Sequence, residues 1–221
     1  MTGSGATEIV RLESGGAQAA RSALQRCIAA GGVAVFPADG LYGLACDPLE
    51  ADAIARIHRL KGRDDGKSSA VMYFSPLAMR ELVAGFGPRT AAAVSALLPG
   101  PVTLVVANPG HRYPFACRED RERLGVRLLG GPLAGVMCPV FQTSANLSGE
   151  PAPARFADIP GSILAGVDLA IDGGELTGLP STVVDIAEIE DEGTWTVLRD
   201  GALSPGDLAS ALASVGLGQE T

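Results

Sequence analysis

Two short stretches of this chain place polar side chains on either side of a small residue: Lys61-Gly-Arg63 and Ser144-Ala-Asn146. In an extended backbone, residues i and i+2 project to the same side, so the two cations would converge on one anion, and so would the hydroxyl and the amide. Arginine offers a planar fork that matches two phosphate oxygens, and lysine a mobile point charge. Ser144 and Asn146 suit phosphate or ribose, and Gly149 just beyond them lets the backbone approach closely. Arg127, inside Val126-Arg-Leu-Leu129, would clamp a carboxylate or phosphate if its strand floors a cleft, and would face solvent otherwise. Pro99-Gly-Pro101-x-Thr103 and Leu179-Pro-Ser-Thr182 add hydroxyls beside turn-forming residues. All these motifs border apolar runs of strand length, which is how a sheet carries polar loops around a cleft for a small anionic ligand.

The same residues have plainer uses. Basic residues at a helix C-terminus complement its dipole, and Ser, Asn and Gly dominate ordinary turns. Pro99-Gly-Pro101 terminates a helix, Thr103 favours a strand, Ser181 and Thr182 could pair within one, and Arg199 before Asp200-Gly201 could face solvent. No Gly-x-Gly-x-x-Gly, Walker-type Gly-Lys-Ser/Thr or Gly-x-Ser-x-Gly occurs, and His58 and His111 lie far apart, so hydrolysis by a triad is disfavoured.

The elements that must position these residues follow from periodicity. Ala17–Ala30 has Leu24 and Ile28 at helical spacing and stops at Gly31-Gly32. Val33–Phe36 reads as a buried strand. Asp47-Pro48 opens a helix with Ile54, Ile57 and Leu60 on one face, ending near Lys61-Gly62. Ala70–Phe74 is a strand, Ser75-Pro76 a helix cap, and 88–98 a helix broken by Pro99. Strands are expected at 103–107, 125–129, 140–143, 169–171, 182–186 and 196–198, and Ser204-Pro205 opens a last helix through Leu212. About eight strands, the later ones with few helices between them, suggest an α/β domain with a mixed sheet. Residues 1–6 are expected to be a flexible N-terminus, 7–215 a single domain and 216–221 a flexible tail.

The 221 residues are 47% hydrophobic and 19% charged, enough for a sizeable core, and only 5% aromatic, which leaves no stacking platform for bases. A net charge of −8 argues against general adhesion to nucleic acid or anionic membrane. It still allows a local basic pocket, because Lys61, Arg63, Lys67, Arg112, Arg118, Arg121, Arg123 and Arg127 share the middle third. Cys27, Cys46 and Cys138 lie in or beside apolar segments and read as buried reduced thiols, whereas Cys117, among charged residues, is expected at the surface. No basic-then-apolar leader and no membrane-length apolar run is present, so a cytoplasmic protein is expected.

From about Gly32 to Gly201 the residues resemble the YrdC-type family of threonylcarbamoyl-AMP synthases. The resemblance rests on Phe36-Pro-Ala-Asp-Gly-Leu-Tyr-Gly-Leu44, Lys61-Gly-Arg63, Pro99-Gly-Pro-x-Thr103, Gly125-Val-Arg127, Thr143-Ser-Ala-Asn-Leu-Ser-Gly149, Gly178-Leu-Pro-Ser-Thr182 and Val197-Leu-Arg-Asp-Gly201. It implies an α/β fold with a twisted open mixed sheet flanked by helices around a deep, locally positive cavity. It implies a nucleotidyltransferase that joins L-threonine, bicarbonate and ATP, with Mg2+, into threonylcarbamoyl-AMP for modification of tRNA adenosine, working alongside other tRNA-modification proteins. Lys61, Arg63, Lys67, Asn146 and Arg199 would hold ATP, with Lys61 and Arg63 at the catalytic centre. Gly40, Arg127, Ser144 and Ser181 would hold threonine. No protein ligands to a metal are implied. The chain ends soon after Arg199, which matches the short form without an extra C-terminal domain.

Three features depart from the family pattern. Ala38 and Gly40 stand where hydroxyl residues are frequent, Met72 lies near the place of a frequent histidine, and the stretch from Arg127 to Ser144 is short. Without hydroxyls at 38 and 40 the expectation is weak threonine binding, or only slight preference for threonine over serine or valine, with selectivity raised by threonines at both positions provided Gly40 does not hold a positive φ. The other readings are a relative that adenylates a different carbamate, or a nucleotide- or double-stranded-RNA-binding module without synthase activity.

Overall fold

Side chains alternate across the strands, and here one sheet face is sealed by helices while the other is only half covered. The computed structural model describes residues 6–13, 16–62, 69–117 and 119–220. Its strands are β1 (Glu8–Arg11), β2 (Ala34–Pro37), β3 (Tyr42–Cys46), β4 (Ala70–Tyr73), β5 (Val102–Ala107), β6 (Arg123–Leu128), β7 (Val140–Ser144), β8 (Leu169–Asp172), β9 (Thr182–Asp185), β10 (Thr194–Arg199) and β11 (Gln219–Glu220). Its helices are α1 (Ala17–Ala29), α2 (Ala51–Leu60), α3 (Pro76–Val83), α4 (Pro88–Leu97), α5 (Pro114–Cys117), α6 (Gly161–Leu164) and α7 (Pro205–Ala213).

The strands form one open sheet in the order β1-β8-β2-β3-β7-β4-β6-β5-β9-β10-β11. Pairs β1–β8, β2–β8, β4–β6, β5–β9 and β10–β11 are parallel, and the rest are antiparallel, so the sheet is mixed as the sequence suggests. On one face Val71, Tyr73, Leu104, Val126 and Val184 meet Ile54 and Ile57 of α2, Val94 and Leu97 of α4, and Leu208 and Leu212 of α7. Fully burying each such aliphatic side chain contributes about 1.5–3 kcal/mol. On the other face, Leu24 and Ile28 of α1 cover Phe36, Met72, Phe74, Val140 and Ile171. Beyond Met72 that cover ends, and β4, β5, β6, β7 and β9 turn Ala70, Thr103, Arg127, Gln142 and Val183 into an open cavity.

Three strands exceed the expected set: β1, β3 and β11. Every residue of β3 is buried, so it shows no alternation, and Gly43 interrupts it; it nevertheless joins β2 to β7. The expected tail packs instead, with Leu217 buried in the larger core and Gln219–Glu220 paired to β10. Ser75 and Ser204 cap α3 and α7 as read, their hydroxyls accepting from the amides of Leu77 at 3.2 Å and Asp207 at 3.1 Å. Cys117 is a correction: it is 1% exposed, because α5 turns its last residue inward against the sheet while Glu119 and Asp120 stay outside. All four cysteines are free thiols. Among the described residues no helix is long and apolar enough to cross a membrane.

Candidate active site

The cavity encloses about 760 Å³, and Arg127 forms its floor. In β6, Leu124, Val126 and Leu128 enter the core, so Arg123, Gly125 and Arg127 must face the other way. Arg127 is only 6% exposed, yet its contacts are loose. Nη1 donates to the Ala38 carbonyl at 3.4 Å and to Gln142 Oε1 at 3.3 Å, and Nη2 lies 3.5 Å from the Asp39 carboxylate. Nε has no hydrogen-bond partner among the described residues. Burial pushes the Arg127 pKa down to about 10, Asp39 pulls it back up, and Arg199 adds to the lowering. A buried cation held only by long contacts gains strongly from an added anion. Asp39 itself sits at φ 84°, a left-handed conformation seldom adopted outside glycine and tolerated best by Asp and Asn.

A second cluster joins three strands. The hydroxyls of Thr103 and Ser181 lie 2.8 Å apart, and Arg199 Nη2 donates to the Ser181 carbonyl at 2.7 Å and its hydroxyl at 3.2 Å. A register shift between Val197 and Arg199, where β10 pairs with β9, sets the direction of that arginine. Thr182 is structural: its hydroxyl donates to the Leu203 carbonyl and accepts from the Leu203 amide.

The third cluster corrects the expected geometry of Lys61. It is not in an extended stretch but caps α2 at φ −80° and ψ −7°, and Gly62 turns left-handed at φ +64°. Its side chain is 2% exposed and crosses to the loop after β7. There Nζ donates to the Ser144 carbonyl, to the Asn146 carbonyl at 2.9 Å and to Asn146 Oδ1 at 3.1 Å. Asn146 Nδ2 donates to the carbonyls of Leu147 and Glu150, so its amide is spent inside its own loop. Lys61 and Asn146 thus stand behind Ser144, which lines the cavity together with Gly40, Arg127, Ser181 and Arg199. Arg63 and Lys67 lie outside the described residues. Toward the outer end, Arg123 is paired with Asp120 and Asp185, and Arg127 is partly balanced by Asp39, so among the described arginines of the cavity Arg199 is the one with no carboxylate partner.

A family model described as telomere recombination, the Sua5/YciO/YrdC group, matches residues 26–201. The chain belongs to this family. A threonylcarbamoyl-AMP synthase of Xanthomonas campestris is 32% identical over 180 residues, which cover 78% of this chain and 93% of that protein. The solved structure of P. abyssi Sua5 complexed with L-threonine has a TM-score of 0.79 at 25% identity, over 98% of this chain. This chain spans 63% of that longer protein. E. coli YciO, with a TM-score of 0.73 and 24% identity over 89% of this chain and 95% of its own, shares the fold.

Two departures from the family pattern now have a physical setting. A Cβ on Gly40 would lie 2.1 Å from the Leu179 carbonyl and 2.6 Å from Thr177 Oγ1, and the Gly178 amide donates to the Gly40 carbonyl at 2.9 Å. The loop carrying Ser181 packs directly on this glycine, so the expected gain from Gly40→Thr is overturned by steric exclusion rather than by backbone angle. Met72 is sealed in the smaller core and takes no place in the cavity. Gln142 escaped the sequence reading altogether. The i, i+2 rule applied to Ser144 and Asn146 holds only inside a strand, and β7 ends at Ser144; its true same-side neighbour is Gln142.

Proposed function

We propose that this chain condenses L-threonine, bicarbonate and ATP into threonylcarbamoyl-AMP, with release of pyrophosphate, and hands the product to tRNA-modification proteins. The observation that carries this reading is the buried, loosely held Arg127 on the floor of a cavity sized for a small ligand, in a chain whose relatives are named for this synthesis. Threonine's amine adds to the carbon of bicarbonate with loss of water, giving a carbamate. A carbamate oxygen attacks the α-phosphorus of ATP, and the bond to the β-phosphate bridging oxygen breaks to release pyrophosphate. No protein nucleophile is needed; positioning and neutralised phosphate charge lower the barrier. Arg127 would take the threonine carboxylate, with Ser144 and Ser181 around the amino acid. Arg199, together with Arg63 and Lys67, would meet the phosphates, while Lys61 and Asn146 fix the loop that presents Ser144.

Among the described residues no group of three His, Cys, Asp or Glu side chains is arranged to hold a metal, and the cavity acids Asp120 and Asp185 are engaged by Arg123. Those residues do not fit a protein-held metal. Magnesium fits as an ion carried by the triphosphate itself. The net charge of −8 disfavours direct hold on tRNA. The test is incubation with ATP, magnesium, bicarbonate and each amino acid in turn, with pyrophosphate as the readout. Threonine-dependent release is expected; release that ignores the amino acid supplied, or none at all, would overturn the reading.

A further inference from the structure

Gln142 is a polar side chain of the cavity floor to which the proposed reaction gives no role. It rises from β7 among residues with almost no side chain. Its register partners are Ala45 on β3 and Ala70 on β4, and a Cβ added to Gly43 would come within 3.0 Å of both Gln142 Nε2 and the Ala38 methyl. Small residues at 38, 43, 45 and 70 therefore leave room for one long side chain, and the carboxamide reaches the space that a Cβ on Gly43 would crowd.

Its orientation is fixed by chemistry. A guanidinium only donates, so the atom facing Arg127 Nη1 at 3.3 Å must be the carboxamide oxygen. The Nε2 end then points away from Arg127 Nη1 and lies 3.0 Å from where a Cβ on Gly43 would sit, with its two N–H groups bonded to no described residue. The floor thus presents a cation and, one amide group away, an oriented donor. An α-amino acid whose carboxylate sits on the cation places its β-substituent at about that separation.

We infer that Gln142 is a specificity-determining residue whose Nε2 donates to the side-chain hydroxyl oxygen of the amino-acid substrate, an inference that rests on the synthase reading above. It supplies from the floor the hydrogen bond that Ala38 and Gly40 cannot supply from the rim. The substrate class is then β-hydroxy amino acids, and a substrate with a methyl in place of the hydroxyl leaves the oriented amide without an acceptor. Gln142 also anchors Arg127, but that role acts on every amino acid alike through the carboxylate, whereas a hydroxyl contact acts on threonine and not on valine.

The experiment is kcat/KM for L-threonine and for the near-isosteric L-valine, by pyrophosphate release, in the wild type and in Gln142→Leu, with calorimetric binding of both amino acids alongside. ATP affinity in the same samples reports whether the cavity is folded. The expected result is a wild-type preference for threonine of at least about tenfold that falls at least about tenfold further toward unity in the variant. A variant that loses turnover on both substrates in equal proportion would reduce Gln142 to an anchor for Arg127 and overturn the inference. So would a wild type that uses valine as well as threonine, a result that needs no folded variant. If the wild type binds threonine in preference to valine but releases no pyrophosphate, the synthase reading fails and the Gln142 contact stands.

Discussion

At Arg127 charge and geometry can be separated by substitution. Lysine keeps the cation but has no fork, and it cannot reproduce the simultaneous reach to Ala38, Gln142 and an incoming carboxylate. Arg127→Lys is expected to weaken threonine binding nearly as much as Arg127→Ala, each by about 1.5–3 kcal/mol, the range for a hydrogen bond to a charged group. Calorimetry on the two variants checks this, and a lysine variant within twofold of wild type would show that a point charge suffices. The sequence left this arginine between a solvent face and a cleft floor, since one residue inside an apolar strand does not say which face is covered. The alternation of Leu124, Val126 and Leu128 into the larger core decides it.

Between elements, Asp168 is the tie that a sequence does not display. Its carboxylate accepts from the Val33 amide at 2.7 Å and from Arg56 at 2.7 and 3.2 Å, joining the starts of β2 and β8 to α2. Burial pushes its pKa up, and the Arg56 and Val33 bonds more than offset that, holding it below the usual aspartate range. With the folded value below the unfolded one, the stabilisation is present at neutral pH and is lost as pH falls through the unfolded and then the folded value. Asp168→Asn should therefore melt lower at neutral pH and lose less on acidification to about pH 3 than the wild type does, modestly because the side chain is half exposed. Equal acid losses in the two proteins would remove Asp168 from the acid transition. Elements governed by local chemistry were legible: the Ser75 and Ser204 caps, the helix after Pro88, and the stop at Gly31. Elements governed by long-range burial were not. Uniformly buried β3 carries no periodic signal, and the end of β7, on which the choice between Gln142 and Asn146 as neighbour of Ser144 depends, is set by pairing with β3 and β4.

For the molecule as a whole, the open sheet has two edges, and the chain extends one of them with its own C-terminal segment, which pairs with the first two residues of β10. The sequence suggests a free tail after residue 215, because Gly216, Gly218 and the polar end look like a fraying terminus. Instead Leu217 is 6% exposed inside the larger core, beside Leu208 and Leu212 of α7, and the next residues pair with β10, the strand that carries Arg199. One apolar residue between two glycines is too short a signal for periodicity to register. Its energetic weight can be measured directly. Truncating a buried leucine removes its transfer free energy and leaves a cavity, a loss of about 2–5 kcal/mol where the surroundings cannot collapse and less near a terminus that can shift. Leu217→Ala is expected to lower unfolding stability by about 2 kcal/mol in urea with an unchanged denaturant slope, and to weaken ATP binding if β10 is displaced with it. Gly218→Ala, where an added Cβ meets nothing, is the control and should leave both unchanged. If Leu217→Ala melts with the wild type, the segment adds nothing to stability, and its pairing with Thr194 and Trp195 does not hold β10 in place.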